Sequence, residues 1–140
     1  MLPEFDTITT KKVADNYGDS LTFYYADKGG ENIGVAIKTY TKEGFSGKIE
    51  LMVGLLNDGS ISNTAVLSHK ETPGLGDKMD KKKSDFPDQF IGKSPAEFTL
   101  KVTKDGGDVD AITAATISSR AFCDAVERAY VTYQNIGGDK

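Results

Sequence analysis

The sequence predicts an α+β fold, in which a twisted, mainly antiparallel sheet is covered on one face by a long C-terminal helix. The first observation is Asp58-Gly59, which lies between the apolar runs 49–56 and 60–68 and is a strong signal for a β-hairpin. The second is a helical spacing of apolar residues near the C-terminus. These residues are Ala121, Phe122, Ala125, Val126, Ala129, Tyr130 and Tyr133.

The other elements follow from local patterns along the chain. Runs 21–26 and 33–41 are rich in aromatic and β-branched residues, which is typical of strands. We expect a short helix within 76–84, a further strand over 98–103, and an end to the last helix at Gly137-Gly138. Phe86, Phe90 and Ile91 are predicted to be core residues beneath irregular loops. All predicted strands therefore precede the long helix.

The chain length corresponds to a single domain. With 140 residues, it can bury about two thirds of the surface of its unfolded chain. We predict a polar lead-in over residues 1–19 that docks on the domain, with a short helix as one candidate conformation. The domain itself is predicted over 20–136, and residues 137–140 are a tail.

Composition and charge exclude several classes of function. Apolar residues make up 38% and charged residues 27% of the chain, as in ordinary globular proteins. A net charge of −4 argues against nucleic-acid binding, which requires a basic face. The basic cluster at Lys78 and 81–83 is interleaved with aspartates. It is either a solvated face or a patch that attracts an acidic partner or a phosphate.

Cysteine and histidine content predicts neither a disulfide nor a metal site. Cys123 is the single cysteine, and its position beside the helical stripe favours a small buried filler over a reactive thiol. The single histidine, His69, has no convergent partners for a metal. No window contains the roughly 18 apolar residues that a membrane span requires.

Hydroxyl side chains gather where the last helix is predicted to begin. Segment 110–120 reads Asp-Ala-Ile-Thr-Ala-Ala-Thr-Ile-Ser-Ser-Arg, so Thr113, Thr116, Ser118 and Ser119 lie close to free backbone N–H groups and to the positive end of the helix dipole. Such a position suits a phosphate. The alternative is that these hydroxyls are helix N-caps.

A second motif lies about forty residues upstream. Segment 71–76 reads Glu-Thr-Pro-Gly-Leu-Gly, and it follows the predicted hairpin. Pro73, Gly74 and Gly76 indicate a sharp turn that a flat ligand can approach closely, and Leu75 offers an apolar surface.

These two motifs, with Gln89-Phe90-Ile91-Gly92-Lys93 between them, resemble the FMN-binding domain family. The resemblance covers roughly residues 44–133, and it is strongest to the G subunits of Rnf electron-transport complexes. In that family the last threonine of the core motif before the helix carries FMN through a phosphodiester bond. The matching residue is Thr116, and Asp110, Thr113, Ala115 and Ser118 also match. Ala114 stands where the family has glycine.

The resemblance implies an electron carrier with covalent FMN, with no catalytic residue acting in turnover and no metal ligand. The cofactor-binding residues that it implies, together with the hydroxyls above, are Thr116, Thr113, Ala115, Ser118, Ser119, Glu71, Thr72, Gly74, Leu75 and Gly76. For Glu71 and Thr72, the alternative is that they bind N–H groups of their own loop.

The resemblance also implies partners and a location. A separate magnesium-dependent flavin transferase attaches the FMN, with FAD as donor. Other membrane subunits of the complex exchange electrons with it. The soluble domain is expected on the extracytoplasmic side of the cell membrane, behind an N-terminal anchor that precedes residues 1–19. The alternatives are a C-type component of a sodium-translocating NADH:quinone reductase, a non-redox interaction module that has lost its flavin, and a flavin enzyme with its own substrate.

Overall fold

A computed structural model describes residues 4–15 and 18–136. The strands are β1 (Thr7–Ala14), β2 (Ser20–Lys28), β3 (Glu31–Gly44), β4 (Gly47–Leu56) and β5 (Ile61–Ser68). Short 3₁₀ turns follow at Gly76–Met79, Phe86–Phe90 and Thr103–Asp105, and the chain then forms helix α1 (Thr116–Asn135). The predicted α+β fold is confirmed.

The sheet is an antiparallel meander. Its strands are hydrogen-bonded in the order β1-β2-β3-β4-β5, so each strand pairs with its neighbour in sequence. The predicted hairpin joins β4 to β5, where the N–H of Leu56 donates to the carbonyl of Ser60 at 2.9 Å. Gly59 adopts φ +85°, and Asp58 Oδ1 accepts from the Ser60 N–H at 2.9 Å. This asparagine-aspartate-glycine turn sets the register with which β5 leads into the 69–76 loop.

Helix α1 covers one face of the sheet, mainly over β3 and β4. Its buried stripe includes the predicted Ala121, Phe122, Ala125, Val126 and Ala129. Each large apolar side chain that becomes fully buried contributes roughly 1.5–3 kcal/mol. This packing fixes the start of α1 relative to the turn between β3 and β4.

Aromatic rings fill the space under the irregular segments. The Phe122 ring lies 5.2 Å from that of Phe86 and 5.0 Å from that of Phe90, between ring centroids. Phe86 and Phe90 are buried, so the prediction that they are core residues is confirmed. The same prediction is wrong for Ile91, whose side chain is 40% exposed. Ile91 follows directly after the last residue of a 3₁₀ turn, where its backbone is extended and its side chain leaves the core.

The expected short helix in the lead-in is wrong, because Thr7–Ala14 is an edge strand paired with β2. A buried cluster attaches this edge to the rest of the fold. The Tyr40 hydroxyl donates to Asp15 Oδ2 at 3.0 Å, and Arg128 Nε lies 4.0 Å from the same oxygen. Arg128 also donates to the Tyr40 carbonyl and, at 3.1 Å, to Asp124. The residue after β1 is therefore held by β3 and α1 together.

The strand expected over 98–103 is also wrong. Within this segment only Val102 forms a ladder contact, a single parallel bridge to Val109. At the β5 edge of the sheet, Ile61 exchanges hydrogen bonds with Gly92 and Lys93 at 2.7 and 2.8 Å. The alternation of Phe98, Leu100 and Val102 therefore reflects burial against the core.

Two further predictions concern the ends of elements. The short helix expected within 76–84 is only one 3₁₀ turn, and its Met79 is buried. The expected glycine stop at 137–138 and the tail 137–140 lie outside the described residues. Among the helices of residues 4–15 and 18–136, none is long and apolar enough to cross a membrane.

Candidate functional site

The two sequence motifs meet at one cavity of about 280 Å³. Loop residues form one side, the first turn of α1 forms another, and the turn between β3 and β4 contributes a third. The lining residues are Phe45, Thr72, Leu75, Gly76, Ala114, Ala115, Thr116, Ile117 and Ser118. Most of this surface is apolar, so the cavity suits a largely apolar group with a polar end at the helix.

Thr116 is the first residue of α1, and its side chain is half-buried. Ala115 occupies the N-cap position, and no side chain caps this helix. The alternative that the hydroxyls are N-caps of α1 is therefore wrong. Within the described part of the chain, the N–H groups of Thr116, Ile117 and Ser118 donate no hydrogen bond to another backbone group. These donors and the helix dipole make the neighbourhood of Thr116 favourable for an anion.

Glu71 connects the three walls of the cavity. Its buried carboxylate accepts from the N–H groups of Phe45 and Ser46, both at 2.9 Å. Ser118 Oγ donates to the same carboxylate at 2.5 Å. Glu71 thus binds backbone N–H groups of the β3–β4 turn, whereas the alternative expected N–H groups of its own loop. Both carboxylate oxygens of Glu71 are bound by groups of the protein.

The 72–78 loop turns as its glycines predict. Gly74 has φ +79°, and its N–H donates to Asp77 Oδ1 at 2.9 Å. A Cβ atom built on Gly76 would lie 2.4 Å from Ser118 Oγ and 2.8 Å from Glu71 Cβ. Only glycine therefore lets the loop backbone reach the start of α1. Leu75 is 39% exposed at the cavity.

His69 has a structural contact in this loop. Its Nδ1 accepts the N–H of Glu71 at 2.9 Å. This hydrogen bond orients the residue that connects the cavity walls. His69 is not among the residues that line the cavity.

Residues 112–115 form the turn that precedes the helix. The N–H of Ala115 donates to the Ile112 carbonyl at 3.0 Å, and Ala114 has φ +63°. A positive φ at this third position is typical of type II turns. Ala114 therefore adopts the left-handed conformation that is easiest for glycine.

Ser119 fastens this turn from inside. Its Oγ accepts from the Ile112 N–H and donates to the Ala115 carbonyl, both at 2.9 Å. Ser119 is fully buried, so its role in this structure is to hold the turn. Thr113 is exposed and lines a neighbouring cavity of about 560 Å³ with Lys78 and Asp110.

The structure thus brings Thr72, Leu75, Gly76, Ala115, Thr116 and Ser118 to one cavity. Thr113, Ser119 and Gly74 lie around it without lining it. Three lining residues, Phe45, Ala114 and Ile117, were not among the cofactor-binding residues predicted from the sequence. The signal for Phe45 was an aromatic residue between Gly44 and Ser46-Gly47, where a tight turn has no structural need for a phenyl ring.

Two ionisable side chains of α1, Arg120 and Cys123, lie close to the site. Arg120 forms two hydrogen bonds with Asp105, at 2.8 and 2.9 Å, and the bond lowers the pKa of that carboxyl. Burial raises the pKa of the Cys123 thiol to about 12, and nearby carboxylates reinforce this shift. The predicted small buried filler is therefore confirmed for Cys123.

The fold and the site together define a small α+β ligand-binding domain, with a hydroxyl and unused N–H groups beside an apolar cavity. Residues 44–131 match the model of the FMN-binding domain. The chain therefore belongs to the FMN-binding domain family. Its observed residues fit such a ligand, because the helix start can receive a phosphate and the cavity can receive part of a flat ring.

Several curated relatives are named as the G subunit of an ion-translocating oxidoreductase complex. The relative from Shewanella oneidensis is 39% identical over 126 residues, which cover 88% of this chain and 59% of the relative. The Vibrio atlanticus relative is 45% identical over 117 residues, which cover 80% of this chain and 56% of the relative. The Erwinia tasmaniensis relative is 41% identical over 118 residues, covering 82% and 56%. The chain thus spans between 56% and 59% of the length of these relatives.

Proposed function

We propose that this chain is the FMN-carrying part of an electron-transfer subunit in an Rnf-type ion-translocating oxidoreductase complex, with FMN bound to Thr116 by a phosphodiester. One observation supports this most directly. Thr116 begins α1 beside unused N–H groups and opens onto the apolar cavity formed with Leu75 and Gly76. The family match and the names of the relatives support the same function.

A covalent link explains how the cofactor is retained. A charge at a helix N-terminus gains about 0.3–1 kcal/mol, or roughly 2 kcal/mol when partly buried. This is too little to retain FMN by itself. A phosphodiester prevents loss of the cofactor unless a bond is cleaved. The N–H groups at the start of α1 then stabilise the phosphate that the link leaves in place.

Attachment is a phosphoryl transfer from FAD. The Thr116 Oγ–phosphorus bond forms, the bond between that phosphorus and the AMP oxygen breaks, and AMP leaves. The hydroxyl proton passes to a base on the magnesium-dependent flavin transferase, since a threonine hydroxyl requires outside activation. Asp110 and Ser118 belong to the segment that this transferase reads.

FMN supplies the electron-transfer chemistry when it is bound. This chain holds the ring, limits its contact with water and leaves one edge accessible. The cavity of about 280 Å³ lies at the small end of ligand sites, so part of the ring remains outside it. An exposed edge suits electron exchange with other subunits. We expect no NADH turnover by the isolated domain.

The proposed setting follows from the same function. The domain stands on the extracytoplasmic side of the cell membrane, behind an N-terminal anchor. There it meets the flavin transferase during maturation and the membrane subunits of the complex during turnover. A C-type subunit of sodium-translocating NADH:quinone reductase would use the same cavity.

One observation favours a second candidate, a non-redox interaction module that has lost flavin. Ala114 has φ +63° in the turn that presents Thr116, where the family has glycine. Its methyl group makes this conformation costly and could weaken recognition by the transferase.

Co-expression with a flavin transferase, followed by intact-mass measurement, tests the proposal. We expect one FMN phosphodiester on the wild type and on Thr116→Ser, and none on Thr116→Ala. Thr10→Ala is the matched control, because Thr10 is exposed on β1 and lies outside both the cavity and the 110–120 segment. An unmodified wild type, or equal modification of Thr116→Ala, would contradict the proposal.

A further inference from the structure

Phe45 has an unusual position for a phenylalanine. It lies in the turn between β3 and β4, is 66% exposed, and lines the cavity opposite the first turn of α1. Phenylalanine side chains are normally buried in a core. This phenyl group makes no core contribution, since it does not belong to the buried cluster or to the residues packed against it. Its packing role in the protein alone is therefore small.

The backbone under Phe45 is held firmly. Its N–H and that of Ser46 both donate to the Glu71 carboxylate at 2.9 Å. The two ends of the turn lie very close together, since a Cβ on Gly44 would lie 2.3 Å from the Gly47 carbonyl oxygen. Gly47 has φ +105°, which completes the turn. The turn thus carries an exposed aromatic ring on a backbone that is held in place by hydrogen bonds.

The same carboxylate also holds the proposed attachment point. Glu71 Oε1 accepts from both the Phe45 N–H and Ser118 Oγ, and Ser118 lies two residues after Thr116. One buried side chain therefore holds the backbone of Phe45 close to the start of α1. A ligand that is bonded to Thr116 and enters this cavity would find Phe45 in its wall.

We propose that Phe45 contacts the flavin ring and stacks against it, while Glu71 acts as the positioning residue for the pair. This inference rests on the proposed function. Leu75 and Ile117 also reach the cavity from exposed positions, but only Phe45 offers a planar aromatic surface. Aromatic rings prefer offset-stacked or edge-to-face contacts, and a flavin ring offers both a face and an edge for them.

Contact quenching of flavin fluorescence tests this placement. An indole or phenol ring in van der Waals contact with an excited flavin quenches it by electron transfer, whereas phenylalanine does not. The chain contains no tryptophan, so one introduced tryptophan reports a single position. In protein loaded by the transferase, we expect Phe45→Trp and Phe45→Tyr to lose most of the flavin fluorescence of the wild type.

Ile8→Trp is the matched control. Ile8 is exposed on β1. It pairs with Ala26 of β2, which in turn pairs with Gly34 of β3. Gly34 lies about ten strand residues, roughly 33 Å, from the β3–β4 turn, so Ile8 is about as far away. We expect its flavin fluorescence to equal that of the wild type. Equal fluorescence in Phe45→Trp, Phe45→Tyr and Ile8→Trp would overturn the inference while leaving the attachment intact.

Intact mass separates failure of the inference from failure of the proposed function. Each variant is compared at full loading, with one FMN per chain. If the wild type gains no FMN, the proposed function fails and the role of Phe45 fails with it. If the loaded wild type and variants show no difference in fluorescence, only the role of Phe45 fails.

Discussion

Ser118 Oγ donates a 2.5 Å hydrogen bond to Glu71 Oε1, which joins side chains 47 positions apart in the sequence. Both side chains are buried. Gly76 makes this bond possible, because any Cβ at that position would occupy the space of Ser118. The contact therefore fixes the loop, the β3–β4 turn and the helix start as one unit.

Glu71→Gln should destabilise the domain. A glutamine presents one amide nitrogen, which cannot accept, where the carboxylate now accepts from Phe45, Ser46 and Ser118. Leaving a buried donor unsatisfied costs about 1–3 kcal/mol. We therefore expect the free energy of unfolding, measured by urea titration, to fall by about that amount.

Glu43→Gln is the matched control, since Glu43 is exposed near the same turn and should change stability by less than about 0.5 kcal/mol. A double-mutant cycle with Ser118→Ala should give a coupling energy of about 0.5–3 kcal/mol with Glu71→Gln. Additive effects, or a Glu71→Gln variant as stable as the control, would show that the carboxylate does not connect the cavity walls.

The sequence could predict those parts of the fold that local signals determine. Asp58-Gly59 marks a hairpin because glycine readily adopts the positive φ that such a loop needs, and the structure has that hairpin with Gly59 at φ +85°. The apolar stripe from Ala121 onward predicts α1 because only a helix places these residues on one face. Glycines in the 72–78 loop likewise predict the close approach that Gly76 makes.

Other parts depend on tertiary contacts that local patterns do not encode. Strand β1 is exposed on both faces along most of its length, so no alternation marks it. The 98–103 segment alternates, but within it only Val102 forms a ladder contact. The N–H partners of Glu71 could not be predicted, because they lie about 25 residues away in the chain. Phe45 was missed because its relation to Thr116 exists only after the sheet folds.

The cluster around Arg128 should stabilise the edge strand. The Tyr40 hydroxyl donates to Asp15 at 3.0 Å in a buried environment, and bonds to charged groups contribute about 1.5–3 kcal/mol. We expect Tyr40→Phe to lower the free energy of unfolding by about this amount and to speed hydrogen exchange in β1. Tyr24→Phe is the control, since Tyr24 is half-buried on β2. Equal losses in both variants would contradict a specific role for the Tyr40–Asp15 bond.

Cys123 should be inert to thiol reagents in the folded protein. Burial raises its pKa from 9.0 to about 12, so at pH 8 roughly a thousandfold less thiolate is present than at the ordinary pKa. We expect modification of the native protein no faster than global or local opening exposes the thiol. A cysteine placed on exposed β1 by Thr7→Cys should react within minutes. Comparable rates at both positions would contradict the buried location.

The raised pKa of Cys123 predicts how the free energy of unfolding changes with pH. The folded pKa is above the unfolded one, so the contribution of the protonated thiol is complete below pH 9 and is lost as pH rises toward about 12. Over that range it falls by about 1.4 kcal/mol per pH unit. We expect stability to decline less steeply above pH 9 in Cys123→Ala than in wild type. Parallel curves would exclude this contribution.

Ala114 adopts φ +63° in the turn closed by the Ala115–Ile112 hydrogen bond, and Ser119 holds that turn from inside. The left-handed conformation costs an alanine roughly 1–2 kcal/mol, whereas glycine adopts it without a Cβ penalty. Glycine in turn loses more backbone entropy on folding, by about 0.5–1 kcal/mol. The difference favours glycine at this position.

We therefore expect Ala114→Gly to raise the free energy of unfolding by about 0.5–1 kcal/mol, although glycine substitutions usually destabilise. Ala96→Gly is the matched control, because Ala96 is exposed without a positive φ and should become less stable by about 0.4–1 kcal/mol. Initial rates of FMN attachment, followed by intact mass, should also rise in Ala114→Gly, since the turn reaches its conformation without strain. If both glycine variants lose stability equally, strain at Ala114 is absent; if only the attachment rate stays unchanged, the transferase does not read this turn.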